Sequence, residues 1–474
     1  MSGYYIELKP FLNKLSKINI FFILNFVSNE IKREQARYVP EVINFLLSNA
    51  LIYCTTLKDS RFVHTEKDII EILNKIEDLN LKISDSIFKK FNWDWFVKLY
   101  ENQAKYNKHS FQFQVLRYYY IYSSPKLAEQ FINNYGVNYI DFLRSSIVIY
   151  SLFEKKNWIL SANELDTLFR KQEEKTPLNL KDSLNLSLSL LSTDLFSLRN
   201  SLKEKMKYDE NMFLQFSYPH LIKPIFKIDN YLCCPNTNVL LNQFTGGLYY
   251  LLELNQLQGE LGEEYGKAFE KYIGLIFNKL STERFNVISE FKYFRKGVEI
   301  RSPDWIIVED DSVTMIECKT KRKIISEKKF IEDLSDSYIQ FAITTLCKLY
   351  QKVNDYINDK FECITYDRNK SIIPIVLFLE DDLYIDIDNK ISKPLKNLLK
   401  SKGLDDNIVD IYPPKFYNTS NFEYEVFLMF KYGFKNYFRM KSNNQITHDE
   451  DAGYSYNKIF SVEFNDLFIN PFIV

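Results

Sequence analysis

The stretch Ser302-Pro-Asp-Trp-Ile-Ile-Val-Glu-Asp-Asp-Ser-Val-Thr-Met-Ile-Glu-Cys-Lys319 decides how the rest of the chain is read. Ile306 to Val308 and Val313 to Ile316 are apolar runs rich in β-branched residues. The polar cluster Glu309-Asp310-Asp311-Ser312 between them reads as a turn, so the stretch predicts a β-hairpin. A symmetric loop pairs Val308 with Val313, and the same register sets Asp304 opposite Glu317. Directly opposed residues of an antiparallel pair have Cβ atoms about 5 Å apart, so two carboxylates there repel unless a cation lies between them. A divalent metal is the natural occupant. Side chains alternate along a strand, so Lys319 projects from the face of Glu317 and can reach a water on that metal. Cys318 points the other way and offers its backbone carbonyl as an oxygen ligand.

The flanks supply further elements. From about Gly262 to Leu280, the residues Tyr265, Phe269, Tyr272, Ile273, Ile276 and Leu280 recur at helical spacing and form one apolar face. Glu270 lies at its edge, and Gly266 and Gly274, four residues to either side, leave the backbone open to close approach. Asp333 to Tyr356 predicts a second amphipathic helix, with Tyr338-Ile339-Gln340 near its start. Ile372 to Leu379 is nearly continuously apolar, as in a strand covered on both sheet faces.

Pro303-Asp304, followed after 12 residues by Glu317-Cys318-Lys319, resembles the signature of the PD-(D/E)XK nuclease superfamily. The order helix, strand, hairpin, helix, strand over residues 255–390 is similar to its restriction-endonuclease-like core. The resemblance implies an α/β fold, a mixed sheet flanked by helices, that cuts nucleic acid with Mg²⁺, or with Mn²⁺ in its place. It implies metal ligation by Asp304, Glu317, the Cys318 carbonyl and Glu270, a glutamate on the helix before the hairpin, with Glu263 a weaker candidate on the same margin. It also implies that Gln340 faces the site and that Lys319 orients the attacking water. The plainer alternative is that E-x-K on a strand arises by chance, and that Glu270 and Gln340 are solvated helix residues.

The formal net charge is −1 and the isoelectric point about 6.5, so no overall positive field draws nucleic acid to the chain and any such contact must be local. The densest basic patch follows the hairpin directly: Lys319, Lys321, Arg322, Lys323, Lys328 and Lys329, with Glu327 the one acid among them. A charge run is usually a solvated face. Its position here favours contact with phosphate.

The six cysteines, at 54, 233, 234, 318, 347 and 363, contain no C-x-x-C pair, so reduced thiols in a cytoplasmic protein are expected. The four histidines are too scattered to suggest a cluster or a catalytic dyad. Ile18 to Val27 is too short to span a bilayer and lacks a small-x-small cleavage site, so no membrane association is expected.

With 474 residues, two or three domains are expected. Residues 1–205 read as a large all-α region, with capping patterns at Thr65 to Asp68 and Ser161 to Glu164 and a helix start at Ser124-Pro125. The aromatic run Tyr118 to Tyr122 is either helix core or a base-stacking surface. Residues 206–254 read as a β-ribbon connector centred on a turn at Asp229-Asn230. The resemblance makes residues 255–390 the expected nuclease core. Residues 391–474 form a helical extension packed on that core, with a strand at Leu383 to Ile387 ahead of it and a long aromatic helix over about 421–440.

The leading expectation is therefore a Mg²⁺-dependent endonuclease, acting on DNA in preference to RNA. Its N-terminal helices would serve recognition, a protein partner, self-association or regulation. Defence against phage or other foreign DNA is the setting the resemblance implies. The rivals are an RNA-cutting nuclease of the same fold, a catalytically silent nucleic-acid-binding or scaffold protein, and a helical interaction protein in which E-C-K is accidental.

Overall fold

The computed structural model of the chain describes residues 18–33, 37–38, 40–54, 66–88, 111–173, 180–206, 223–252, 259–320, 332–379, 387–445 and 460–464, with positions 10, 14 and 15. These divide into two compact units. One is built from described residues up to 111 and from 128 to 252, the other from 112–127 and from 259 to 464.

The first unit is mainly helical. Ile20, Ile23, Leu24 and Val27 of the Ile20–Lys32 helix join Leu46, Leu47 and Ala50 of the Pro40–Tyr53 helix and Ile69, Ile72, Leu73 and Ile76 of the Glu66–Phe88 helix in one core. Spacings of three and four residues put each set on one stripe. The unit is nonetheless not all helix. Strands β1 (Ile159–Ser161), β2 (Ser192–Asp194), β3 (Ile225–Ile228) and β4 (Tyr231–Cys233) form a sheet in the order β1-β4-β3-β2. The ribbon expected as a separate connector is therefore the centre of a sheet within this unit. Strands of three residues carry too little alternation to be read in isolation. Of the two capping patterns, the Ser161 N–H donates to the Glu164 carboxylate at 3.4 Å, while Thr65 lies outside the described residues.

The second unit is organised by a five-stranded mixed sheet of β5 (Asn286–Ser289), β8 (Trp305–Val308), β9 (Ser312–Lys319), β10 (Ser371–Phe378) and β11 (Lys415–Asn418), in the order β11-β10-β9-β8-β5. Between β5 and β8 in sequence, β6 (Lys292–Arg295) and β7 (Val298–Arg301) make a separate two-stranded ribbon. β8 pairs antiparallel with β9 in the expected register, Trp305 opposite Ile316 and Val308 opposite Val313, and the Glu309 N–H closes the turn onto the Ser312 carbonyl at 2.9 Å. β9 and β10 are parallel, which requires a crossover, and the Glu332–Ile357 helix supplies it.

Alternation sorts the two sheet faces. Ile306, Val313 and Met315 pack with Ala342, Leu346, Tyr350 and Val353 of the crossover helix and with Leu395 and Leu399 of the Ile387–Ser401 helix. On the other face, the Trp305 ring meets Phe277 of the Glu260–Leu280 helix edge-on at 5.8 Å. Gly274 makes that approach feasible, because a Cβ there would lie 2.1 Å from Trp305 Cζ2.

Three expectations for this half need correction. The C-terminal extension is not purely helical, since it supplies edge strand β11, parallel to β10. The helix expected over 421–440 is two helices, Thr419–Tyr432 and Phe434–Ser442, broken at Gly433 with φ +86°. Glu309 caps the second by accepting the Phe434 N–H at 2.9 Å. Of the strand expected at 383–387, residues 383–386 lie outside the described residues and Ile387 opens a helix. The aromatic run at 118–122 lies on the Phe111–Tyr122 helix, where Tyr118 and Tyr122 are buried against each other and Tyr122 meets Tyr265, so these two rings are core. Among the described residues no helix is long and apolar enough to cross a membrane.

Candidate metal and catalytic site

Extending the β8–β9 register by one pair brings Asp304 opposite Glu317. Both are buried, at 7% and 4% exposure, far below what unpaired carboxylates tolerate. Each has partners. Asp304 Oδ2 accepts the Cys318 N–H at 2.6 Å, in place of a ladder bond at the strand end. Glu317 Oε2 accepts from Lys319 Nζ at 2.7 Å, and its Oε1 accepts from Lys352 Nζ.

The position of the Lys319 ammonium defines the site. It lies 2.7 Å from Glu317 Oε2, 2.9 Å from the Cys318 carbonyl oxygen and 3.6 Å from Asp304 Oδ2. Three of the oxygens expected to ligate a metal thus converge on one cationic group. Among the described residues no three His, Cys, Asp or Glu side chains form a ready cage, and here the lysine supplies the positive charge. The donor set, two carboxylates and a carbonyl oxygen, suits a hard divalent cation. A metal and this ammonium cannot share the point, so Mg²⁺ or Mn²⁺ would be held by Asp304, Glu317 and the Cys318 carbonyl with Lys319 displaced.

Glu270 approaches from the opposite face of the sheet, on the Glu260–Leu280 helix, whose backbone is tied to β8 by Trp305 Nε1 donating to the Glu270 carbonyl at 3.1 Å. Its carboxylate forms no hydrogen bond or ion pair among the described residues. Burial, and then the charge of Asp304, push it up to about 7. Asp304 is pushed up to about 6 by burial and by the Glu317 charge. Burial also acts to raise Glu317, but the ammonium groups of Lys319 and Lys352 outweigh it and hold Glu317 below the usual carboxylate range. Glu317 is therefore the more acidic member of the pair, and Asp304 and Glu270 are the groups whose ionised forms a bound cation would favour most.

Lys352 is a member of this cluster that the sequence pattern does not single out. Besides Glu317 it bonds the Ser302 carbonyl at 3.0 Å, so it ties the crossover helix to both ends of the Ser302–Glu317 stretch. Gln340, by contrast, is exposed on the stripe it shares with Thr344 and Lys348 and is not brought to the cluster. Twelve residues at 100° each place Lys352 about 120° further around the axis, toward the sheet. Glu263 is exposed and paired with Lys267 at 2.6 Å, as an ordinary helix-surface ion pair. Lys321, Arg322, Lys323, Lys328 and Lys329 lie outside the described residues.

No protein-family model matches the chain, and no curated protein and no solved structure matches it.

Proposed function

We propose that the chain is a metal-dependent endonuclease that hydrolyses phosphodiester bonds of nucleic acid, DNA in preference to RNA, with Mg²⁺ held by Asp304, Glu317, the Cys318 carbonyl and Glu270. The observation that carries this is the convergence of Glu317 Oε2, the Cys318 carbonyl and Asp304 Oδ2 on a single cationic point at the strand ends. When bound there, the metal would polarise the scissile phosphate and acidify a water. Lys319, moved aside, would remain beside the phosphate and stabilise the charge that grows on its oxygens. Lys352 would hold Glu317 in place through its other oxygen. Defence against phage or foreign DNA is the biological setting proposed with it.

A second reading has its own support. Two carboxylates, Asp304 and Glu317, face two ammonium groups, Lys319 and Lys352, so the cluster is balanced without a metal and would also serve a catalytically silent scaffold. Titrating Mg²⁺ and Mn²⁺ against the purified chain with DNA and RNA substrates together separates the two. Metal-dependent cutting supports the nuclease, its polymer preference follows from the same gel, and absence of cutting at every metal concentration favours the scaffold.

A further inference from the structure

The β6–β7 ribbon has a structure that the site chemistry leaves unexplained. Its two-residue turn, Lys296-Gly297, has φ +52° and +78°, the left-handed geometry of the primed turns that match strand twist. Its inward face is anchored. Tyr293 Oη and Arg295 Nε donate to the buried Asp355 carboxylate at 2.7 and 2.6 Å, and Tyr293 packs on Phe361 at 4.8 Å. Its outward face carries Lys292, Phe294, Glu299 and Arg301, paired across the strands as Lys292 with Arg301 and Phe294 with Glu299. Phe294 is 62% exposed in the middle of that face. Within residues 292–301 four basic residues stand against one acid, and Lys296 projects at the tip. Arg295 is taken up by Asp355 on the inward face, so the outward face and tip carry three basic residues, Lys292, Lys296 and Arg301, around an exposed aromatic ring.

We propose that this ribbon is the duplex-DNA contact of the protein and lies in the major groove beside the cut site. The inference rests on the nuclease reading above and adds the substrate class to it. A two-stranded ribbon fits the major groove of B-DNA, roughly 12 Å wide, whereas the A-form major groove of duplex RNA is too deep and narrow to admit it. Lys292, Lys296 and Arg301 supply phosphate contacts. Lys292 is paired with Glu299 at 2.7 Å and Arg301 with Glu290 at 3.2 Å, but exposed pairs of this kind are weak and exchange readily for phosphate. Phe294 supplies apolar contact with base edges such as the thymine methyl. β7 runs through Ser302 and Pro303 into Asp304. Arg301, three residues earlier, is therefore within about 11 Å of it along the chain. Because the inward face is already fixed, little ordering is needed on binding.

The test uses the full chain in chelator to suppress cutting, with labelled duplex DNA, duplex RNA and single-stranded DNA of one sequence titrated by anisotropy over a range of KCl. Wild type is compared with Phe294→Ala and with a triple variant, Lys292→Gln, Lys296→Asn and Arg301→Gln, all checked for native melting. The proposal expects preference for duplex DNA and a loss of about tenfold in affinity for Phe294→Ala. It expects a salt slope shallower by about 2 to 3 in the triple variant. Guanine N7 positions should be protected from dimethyl sulfate by wild type and not by the triple variant. If wild type cuts DNA with Mg²⁺ while the variants keep its affinity, slope and footprint, the ribbon proposal is overturned and the nuclease reading stands. Equal affinity for duplex RNA also overturns it. If wild type neither binds nor cuts any of the three polymers, both fall together.

Discussion

Lys352 bonds the Oε1 oxygen of Glu317 while Lys319 bonds Oε2 at 2.7 Å, so one buried carboxylate is held by ammonium groups from a helix and a strand. Lys352→Met removes one of the two charges and leaves Oε1 without its donor. The expected cost is roughly 1–3 kcal/mol, seen as a lower urea midpoint at unchanged m-value. Turnover per folded molecule should fall more than KM rises, and Lys352→Arg should recover part of both. A variant that loses stability but keeps wild-type kcat would reduce Lys352 to a structural tie.

Lys319→Ala separates metal binding from chemistry. The ammonium occupies the point on which the site oxygens converge, so its removal should tighten Mg²⁺ or Mn²⁺ binding measured by calorimetry. The same change removes the group that stabilises charge in the transition state, so cleavage should slow on the order of 10²-fold or more with nucleic-acid affinity kept. Weaker metal binding in the variant would contradict the placement.

The stability of the metal-free chain should report on Glu270. Burial and the Asp304 charge raise its carboxyl to about 7 in the folded state, above its unfolded value. A group raised in this way contributes stability at low pH and loses it as pH rises through about 7. Glu270→Gln should therefore stabilise the metal-free chain at about pH 8 by roughly 1–2 kcal/mol, after allowance for screening of a partly exposed group, with the gain vanishing toward about pH 4. Chemical denaturation at both ends of that window measures it. A gain independent of pH would assign the effect to something other than the charge.

Gly274 and Gly266 make a paired test of the helix seat. Alanine at 274 would place its Cβ 2.1 Å from the Trp305 ring, whereas at 266 the nearest atom is Thr320 Oγ1 at 3.8 Å. Gly274→Ala should cost roughly 1–3 kcal/mol, and Gly266→Ala should be neutral or stabilise by up to about 1 kcal/mol through helix propensity. Equal effects in denaturant melts would mean that the helix does not seat on Trp305.

The site splits into a part legible in the sequence and a part that only tertiary structure places. The Asp304 and Glu317 pairing follows from a symmetric turn between two β-branched runs, which is local information. Lys352 is 35 residues from Glu317, and whether it or Gln340 reaches the site depends on the rotational setting of a docked helix, which periodicity alone leaves open. β11 reads Lys-Phe-Tyr-Asn and is four residues long, so its pairing with β10 is decided by context rather than by pattern. The β6–β7 ribbon has a local signal, a Lys-Gly turn between two short strands, but those strands are less apolar than the hairpin that follows.

The decisive measurement is cleavage of labelled duplex DNA by wild type and Asp304→Ala, side by side, over a range of Mg²⁺ with a chelator control. Asp304 is where the convergent oxygens lose a charged member while Glu317 keeps both lysines. Mg²⁺-dependent cutting by wild type and none by Asp304→Ala is expected, with both proteins folded and both binding DNA. Cutting at equal rates by the two, or by neither at any Mg²⁺ concentration, would contradict this expectation.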